Sequence, residues 1–294
     1  MKDYPLSRSH ALEPTLPRDA YVSAAVFDAE RERIFAREWV LVGREESIPA
    51  EGNYLDVDVL GESLLVVRDG GGVLRAFFNV CRHRGCALVL REKHEGATEG
   101  VPVAGRTGKA LRCPYHSWTY ALDGSLRSAP LLEEALAGRK QEFGLHPAGL
   151  ETWGGFIFVN LDPAGASARG ITLESQFGVS MQRLKNYPLA DLRLGRRIVY
   201  DVATNWKVIL ENYNECYHCG GVHPELCKVV PAFRQNSGIS LDWEHGVPHR
   251  EGAVTFTASG QTTRAPFPGI DANELVRHKG ELIYPNCMIS ASMD

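Results

Sequence analysis

The chain has 294 residues, of which 44% are hydrophobic, 23% charged and 9% aromatic, and its formal net charge is -4. This is the average composition of globular proteins, which excludes disordered and fibrous classes, and the length suits one large domain or two ordinary ones. The absence of a basic excess excludes a nucleic-acid partner and an anionic membrane surface. We therefore expect small molecules and other proteins as partners.

Targeting signals are not evident. The opening stretch "MKDYPLSRSHALEPTLPRD" has no continuous apolar core, so we expect neither a secretory signal nor a twin-arginine leader. No run of about eighteen apolar residues occurs, which excludes a transmembrane helix. The seven cysteines mostly lie beside histidines, a pattern typical of metal sites with reduced thiols. These observations predict a cytoplasmic protein.

The first half of the chain is predicted to be mainly β-structure. An amphipathic helix that runs into a strand is predicted for "AAVFDAERERIFAREWVLVG". Four short strands follow, in "NYLDVDVLG", "ESLLVVRDG", "VLRAFFNV" and "WGGFIFVNLD", with glycines supplying the turns. We assign residues 1–39 to a leader and a helix that packs on the second domain, and residues 40–162 to a β domain.

The second half mixes longer patterns. We place the domain boundary at "PAGASARG", a short stretch of small residues that begins at Pro163. Beyond it, "LESQFGVSMQRLKNY" and "NWKVILENYNECYH" predict helices, while "LRLGRRIVYDVAT" and "ELIYPNCMISAS" predict strands. Residues 163–294 are therefore predicted to form an α+β domain with an antiparallel sheet, in which helices carry the chemistry.

Two loops of the β domain each contain one cysteine and one histidine: Cys81 with His83, and Cys113 with His116. Structural zinc sites usually take like ligands from each knuckle. A Rieske [2Fe–2S] centre instead places two sulfurs on one iron and two nitrogens on the other. A zinc ribbon stays open as an alternative, but the spacing favours the cluster. The order C-x-H…C-x-x-H followed by "SWTY" resembles the Rieske domains of ring-hydroxylating oxygenases.

Two features near these loops differ from related proteins. In respiratory Rieske proteins a Cys at the position of Cys86 pairs with one in the second loop, where this chain has Tyr115. We therefore expect no disulfide and interpret Cys86 as a small buried hydrophobic residue. The 29 residues from 84 to 112 that separate the loops are more than is usual for the family. The polar, glycine-rich "EKHEGATEGVPVAGRTGK" is interpreted as a surface insertion that leaves the cluster intact.

A second group of candidate ligands lies on the predicted helix that starts near Asn205. One face of that helix collects Glu215 and His218, and we expect Gly220 and Gly221 to end it. His223 follows five positions after His218, so two imidazoles can meet one metal from a helix end and a loop. A zinc pattern, C-x2-C-x3-H-x3-C, also fits this stretch, although it leaves Glu215 and His218 unexplained. Its four ligands would be Cys216, Cys219, His223 and Cys227.

The second motif resembles the mononuclear iron site of Rieske non-haem iron oxygenases, and both motifs in this order resemble the catalytic α subunit of that family. The resemblance implies a β-sandwich Rieske domain plus a helix-grip-like catalytic domain with an antiparallel sheet. It implies a [2Fe–2S] cluster on the first four ligands, and Fe(II) on His218, His223 and a carboxylate. It also implies electrons from NAD(P)H through a flavin/iron-sulfur reductase, and a homotrimer in which one subunit's cluster serves the next subunit's iron.

The resemblance extends to residue roles and substrate class. It implies that Glu215 links a cluster histidine to an iron histidine, and we place Asn212 with it in the catalytic site. A Glu at this position resembles the branch that hydroxylates or demethylates quaternary ammonium compounds such as choline, betaine, carnitine or stachydrine. Tyr213, Phe233 and Trp243 are candidates for a cation–π cage. The alternatives are an aromatic-ring dioxygenase or O-demethylase, and a Rieske electron carrier without catalytic iron.

The carboxylate ligand of the iron is expected beyond residue 294. In the related enzymes it is an Asp on a helix far downstream of the histidine pair, but only 71 residues, 224–294, follow His223 here. Asp242, Asp271 and Asp294 all lack such a setting. We therefore expect the chain to be a C-terminally incomplete version of a longer polypeptide.

Overall fold

The structure is a computed structural model that describes residues 14–91, 101–238 and 241–293. In these ranges the α-helices are α1 (Asp19–Val22), α2 (Ala24–Glu30), α3 (Pro163–Arg169), α4 (Leu173–Arg183), α5 (Trp206–Asn214), α6 (Cys219–Val222), α7 (Pro224–Val229) and α8 (Ala272–Leu275). The strands are β1 (Val40–Arg44), β2 (Asn53–Val59), β3 (Glu62–Arg68), β4 (Leu74–Phe78), β5 (Val103–Arg106), β6 (Leu111–Arg112), β7 (Thr119–Tyr120), β8 (Leu126–Ser128), β9 (Pro147–Trp153), β10 (Phe156–Asn160), β11 (Val247–Pro248), β12 (Arg277–Ile283) and β13 (Cys287–Ala291). Each of these described helices is too short or too polar to cross a lipid bilayer.

The largest sheet has seven antiparallel strands in the order β1-β10-β9-β4-β3-β2-β5. Side chains alternate between the two faces of a strand. On β3, Leu65 and Val67 therefore face one hydrophobic core, and Leu64 and Val66 face another. All four are fully buried. The first core also contains Cys81, Cys113 and the small sheet β6-β7-β8, so the candidate cluster loops pack directly on the large sheet.

The predicted strands of the first half are confirmed as β2, β3, β4 and β10, and the predicted helix–strand unit as α2 followed by β1. A π-helical turn, Arg31–Phe35, extends α2. The proposed surface insertion contributes more than expected, because β5 pairs with β2 along the sheet edge. Residues 92–100 of that insertion lie outside the described ranges.

The stretch that begins at Pro163, where the domain boundary is placed, forms α3. The Asp162 carboxylate accepts the N–H of Gly165 at 2.9 Å and caps the helix start. Pro163 occupies the first turn, where its missing N–H costs nothing. Gly170 ends the helix with a left-handed φ of 68°. The capping residues at both ends therefore override the small-residue composition. The boundary between the domains stays a prediction.

Two predicted strands of the second half differ from the structure. Residues 192–204 form no strand, and they expose Leu194, Ile198 and Tyr200. A strand needs a hydrogen-bonded neighbour, and no described strand pairs with this segment. The single strand expected from Glu281 onward is a hairpin, β12 and β13. Pro285 lies in its turn, where the lack of an N–H interrupts the ladder.

The amino-terminal helix packs on α5, which leads into the second group of candidate ligands. Glu30 accepts a hydrogen bond from the indole N–H of Trp206 at 2.8 Å and pairs with the Lys207 ammonium at 2.5 Å. Phe35 meets the Trp206 ring edge-to-face, with centroids 5.0 Å apart. Tyr21 donates to Glu211 at 2.7 Å. These contacts fix α5 against the large sheet.

Replacing Ile157 by Ala should destabilise the protein. Ile157 is a fully buried residue of β10, so truncation leaves a cavity that costs about 2–5 kcal/mol of unfolding free energy. Val179→Ala on α4 is the matched control, because Val179 is 55% exposed and surface changes stay within about 0.5 kcal/mol. Urea unfolding followed by circular dichroism measures both. Equal midpoints for the two variants would contradict the described core.

Candidate iron centres

The loops that carry the first four ligands are tight turns held by backbone hydrogen bonds. Gly85 N donates to Cys81 O at 2.9 Å, and Ser117 N donates to Cys113 O at 3.1 Å. Gly85 and Ser117 both have positive φ, 73° and 62°. Gly85 adopts this conformation without steric cost, whereas Ser117 is strained by its Cβ. Each turn holds its Cys–His pair in a fixed arrangement.

The four side chains fit a cluster with two sulfur and two nitrogen ligands. Cys81 and Cys113 are each only 2% exposed. The His83 and His116 rings meet edge-to-face with centroids 4.7 Å apart, and His83 stacks on Trp118 at 4.9 Å. Among the described residues, the Nδ1 atom of His83 is buried without a hydrogen-bond partner, as expected for a nitrogen that is free to bind a metal. The donor set therefore matches a Rieske centre.

Tyr120 supports the cysteine side of this site. Its hydroxyl lies 3.2 Å from Cys81 Sγ and accepts the backbone N–H of Arg82 at 3.0 Å. Burial raises the pKa of the Cys81 thiol, and the neighbouring Cys113 adds to the rise, while the contact with Tyr120 opposes it. Because a metal binds the thiolate, a positive charge between the two sulfurs would stabilise the ionised form of this buried pair of cysteines.

Cys86 is partly buried and packs against the same core. Its thiol donates to the Ala87 carbonyl at 3.4 Å, and Tyr115, in the second loop, is 61% exposed. None of the seven cysteines forms a disulfide in the structure. All seven thiols are thus free in this geometry, and Cys86 is less buried than expected.

The second group of ligands is built differently from the prediction. α5 ends at Asn214, and Glu215 is extended, with φ -128° and ψ 149°. Gly220 and Gly221 lie inside the short helix α6 and do not end α5. The Glu215 carboxylate accepts the N–H of Tyr217, so this side chain competes with the helix for backbone donors. The predicted continuous helix was therefore wrong at this point.

His218 and His223 nevertheless lie side by side. Their ring centroids are 5.3 Å apart and the rings are nearly perpendicular, at 79°. Glu215 Oε1 lies 2.5 Å from His218 Nδ1, and Glu225 Oε1 lies 3.8 Å from His223 Nδ1. The contact with Glu215 leaves Nε2 of His218 for a metal, whereas 3.8 Å is too long for a hydrogen bond to hold the His223 ring. The two predicted iron ligands thus lie side by side, and one of their rings is oriented.

Burial acts to raise the pKa of Glu215, but the hydrogen bonds from His218 and Tyr217 outweigh it and hold the pKa below its ordinary value. Glu215 is therefore ionised at neutral pH. Its side chain is 46% exposed. The carboxylate can thus bind His218 on one side and still reach a group outside the described chain.

These residues border a cavity of about 180 Å³, which we call the iron-site cavity. It brings together Asn212, Glu215, both histidines and all three candidate aromatic residues. Sequence reasoning missed Phe256, His278 and Ser290, which are far along the chain and belong to no motif. The cavity is lined by Asn212, Tyr213, Glu215, Cys216, His218, Cys219, His223, Leu226, Phe233, Trp243, Phe256, His278 and Ser290.

The zinc alternative for this segment is not assembled. Cys216, Cys219 and Cys227 are buried in an apolar cluster with Val230 and Phe233. Burial is the main cause that raises the pKa of the Cys216 and Cys227 thiols, which disfavours metal-binding thiolates. Within the described ranges, no group of three or more His, Cys, Asp or Glu side chains surrounds a single metal ion, as a zinc site would require, whereas a Rieske centre takes only two protein ligands on each iron.

Within the described ranges, none of the aspartates considered as the third iron ligand lies at the iron-site cavity. Asp242 contacts His245, with its Oδ2 at 3.1 Å from Nδ1, and Asp271 caps α8. Neither lines the iron-site cavity, in which Glu215 is the only carboxylate among the described lining residues. Asp294 lies outside the described ranges. The expected absence of a third ligand up to residue 294 stays a prediction.

Comparison with known proteins matches this arrangement. Residues 38–146 match the Rieske [2Fe-2S] domain, and residues 189–294 match the catalytic domain of the ring hydroxylating alpha subunit. The carnitine monooxygenase oxygenase subunit of Acinetobacter baumannii is 35% identical over 259 residues, which are 87% of this chain and 65% of the relative. The glycine betaine monooxygenase oxygenase subunit of Pseudomonas aeruginosa is 36% identical over 226 residues, 76% of this chain and 48% of the relative.

Solved structures give the same result. A quaternary ammonium Rieske monooxygenase in complex with L-carnitine superposes with a TM-score of 0.60 at 35% identity, covering 71% of this chain and 55% of that one. A naphthalene 1,2-dioxygenase from Rhodococcus gives 0.58 at 25% identity, covering 90% and 62%. The chain thus spans about half to two thirds of the length of these relatives. With a Rieske domain followed by this catalytic domain, the chain belongs to the α subunits of the Rieske non-haem iron oxygenases.

Proposed function

We propose that this chain is part of an oxygenase component that uses dioxygen and reductase electrons to hydroxylate or demethylate a small quaternary ammonium compound. The observation that carries the proposal is the iron-site cavity, where His218 and His223 share a small space with the rings of Tyr213, Phe233 and Trp243. Aromatic faces attract a cation that cannot donate hydrogen bonds. The relatives named for carnitine and glycine betaine support this substrate class.

The [2Fe–2S] cluster, when bound by Cys81, Cys113, His83 and His116, supplies one electron at a time. The protein groups around it have separate tasks. Trp118 orients the His83 ring by stacking, and the Tyr120 hydroxyl beside Cys81 tunes the sulfur, because hydrogen bonds to sulfur affect cluster potential. His116, the other histidine of the set, is exposed to solvent, so electrons can enter and leave the cluster on this side.

At the iron site, His218 and His223 would hold Fe(II), which supplies dioxygen activation when bound. Glu215 accepts a hydrogen bond from the Nδ1–H group of His218. This contact fixes the tautomer that leaves Nε2 free for the metal. The apolar rings and Leu226 exclude water from the space beside both histidines. Asn212 borders the same space and offers an amide to a polar group of the substrate.

The exposed positions of His116 and Glu215 bear on the protein partners of this chain. We propose a flavin/iron-sulfur reductase as electron donor and a homotrimer in which the cluster of one subunit faces Glu215 of the next. The exposure of both His116 and Glu215 supports such an interface, since each lies at the protein surface. A cytoplasmic location is proposed because all seven thiols are free, as is typical of a reducing compartment.

Oxygen uptake distinguishes the proposed substrate class from aromatic substrates. The assay compares carnitine, glycine betaine and choline with aromatic acids, with reductase and NAD(P)H present in every sample. Uptake stimulated by the quaternary ammonium compounds supports the proposal. Stimulation by aromatic acids alone would favour the dioxygenase or O-demethylase alternative.

Substitution of Cys81 or Cys113 by Ser should abolish the visible absorption of the purified protein, because thiolate ligands carry the charge-transfer bands of the cluster. Cys86→Ser is the matched control and should keep the colour, since Cys86 lies next to the site without being a predicted ligand. Absorption spectra with iron and sulfide analysis measure all three variants. A colourless wild-type protein with stoichiometric zinc would overturn the cluster assignment.

Substitution of Glu215 by Gln should leave both iron centres loaded but slow electron delivery by about 10- to 100-fold, as expected for the loss of a carboxylate that orients a metal ligand. The amide keeps the size of the side chain and loses one acceptor oxygen. Stopped-flow reoxidation of the reduced cluster with substrate and dioxygen measures the rate. Glu211→Gln, four residues earlier and within α5, is the control. A normal rate in Glu215→Gln would mean that another path carries the electrons.

The mononuclear iron should be held weakly by this chain. Among the described residues, only His218 and His223 are placed as candidate ligands of this iron, and two imidazoles without a carboxylate leave most coordination positions to water. Mild dialysis against a chelator should therefore remove this iron and keep the two cluster irons. Iron analysis before and after dialysis decides the question. A third iron that stays bound, and that Asp242→Ala or Asp294→Ala releases, would show that the ligand set is complete within 294 residues.

A further inference from the structure

A second cavity shares part of its wall with the iron-site cavity. Its volume is about 480 Å³, and Phe256, His278 and Ser290 line both cavities. Most of its other lining residues carry hydroxyl groups, so we call it the hydroxyl cavity. It is lined by Thr255, Phe256, Thr257, Thr262, Arg264, His278, Ser290, Ala291 and Ser292.

The charged side chains that line the two cavities have opposite signs. The described lining of the iron-site cavity has one carboxylate, Glu215, and no Lys or Arg. The hydroxyl cavity has one guanidinium, Arg264, and no Asp or Glu among the described residues that line it. A guanidinium among hydroxyl donors favours a carboxylate. The pair of cavities therefore complements a molecule with a positive end and a negative end.

Arg264 is available for such a ligand. Its side chain is exposed, and its backbone N–H donates to Thr262 Oγ1 at 3.1 Å. Across the described ranges, the guanidinium itself has no hydrogen bond or ion pair with a protein group. Most other arginines that border cavities here are already occupied; Arg44, for example, binds Leu189 O and Glu46. The free guanidinium of Arg264 thus remains the candidate for an external anion.

The shared wall is organised by His278. This side chain is 5% exposed, its ring stacks on Phe256 with centroids 4.2 Å apart, and its Nε2 lies 3.3 Å from Ser290 Oγ. Its Nδ1 is buried with no hydrogen-bond partner in the part of the chain that the structure describes, a condition that usually has a functional explanation. Burial, with His249 nearby, lowers the pKa of His278 to about 4. The ring is therefore neutral, and it positions the Ser290 hydroxyl between the cavities without adding charge.

We propose that the hydroxyl cavity binds the acidic group of a zwitterionic substrate whose quaternary ammonium group occupies the iron-site cavity. Arg264 makes the charged contact, and Ser290, held by His278, donates a hydrogen bond. This inference rests on the proposed function and narrows it. The preferred substrates are quaternary ammonium carboxylates, and cations without an acidic group, such as choline, bind less tightly because they leave Arg264 unpaired.

Equilibrium binding to the purified full chain tests the proposal without turnover. Calorimetry measures the Kd of L-carnitine, glycine betaine and tetramethylammonium for the wild type and for Arg264→Gln. The substitution should weaken binding of the two carboxylates about fivefold, the effect of one partly exposed ion pair, and should change tetramethylammonium binding less than twofold. Arg264→Lys keeps the charge and should restore most of the loss. Arg127→Gln, on β8, is the control for the change in net charge.

Each failure has a distinct meaning. If the carboxylates bind Arg264→Gln as tightly as the wild type, or if tetramethylammonium weakens by the same factor, the acidic-group site is overturned and the proposed function stands. If none of the three ligands binds the wild type, the proposed quaternary ammonium function is overturned and this inference falls with it. Circular dichroism of Arg264→Gln should match the wild type, because the side chain is exposed.

Discussion

Burial of the strand β3 on both faces is the constraint on which the other features depend. A strand whose successive residues Leu64, Leu65, Val66 and Val67 are all fully buried must be covered on each side. One cover includes the two cluster loops. The other includes Phe35 and Trp206, and thereby the start of α5. The two hydrophobic cores thus hold the cluster loops on one face of the sheet, and on the other face the start of the helix that leads to the iron-site residues.

Both centres use the same device to orient ligands: a second group holds the ring that would meet the metal. At the cluster site Trp118 stacks on His83, and at the iron site Glu215 binds Nδ1 of His218. Orientation before binding lowers the entropy that the site loses when the metal enters. The two devices differ in consequence, because Glu215 is ionised and partly exposed. It can therefore make an electrostatic contact beyond its own chain, whereas a stacked indole cannot.

The cavities on the catalytic side depend on residues that come from distant parts of the chain. Phe233 and Trp243 follow the histidine motif. Phe256 comes from the segment between β11 and β12, His278 from β12 and Ser290 from β13. His278 is buried in this wall and remains neutral, so charge in the shared space is confined to Glu215 and Arg264. Because the shared wall carries no charge, the two ends of a ligand with opposite charges can each be recognised by the charged group of one cavity.

The sequence by itself predicted the candidate ligand sets and five of the ten first-half strands, β1–β4 and β10. Metal ligands in tight loops must keep short, fixed spacings, so Cys81, His83, Cys113 and His116 can be recognised from their spacing. Alternation indicates β2, because side chains point to opposite faces, and a continuous apolar run indicates β3, which is buried on both faces. It did not determine where α5 ends, since the Glu215 side chain competes with the helix for backbone donors.

Only the tertiary structure decided whether residues 192–204 pair as a strand, because apolar alternation cannot specify a neighbour. Only the tertiary structure brought Phe256, His278 and Ser290 to the iron site, and Arg264 to the adjoining cavity. These contacts join segments separated by tens of residues. Their geometry is fixed by packing between elements, for which no local spacing rule exists.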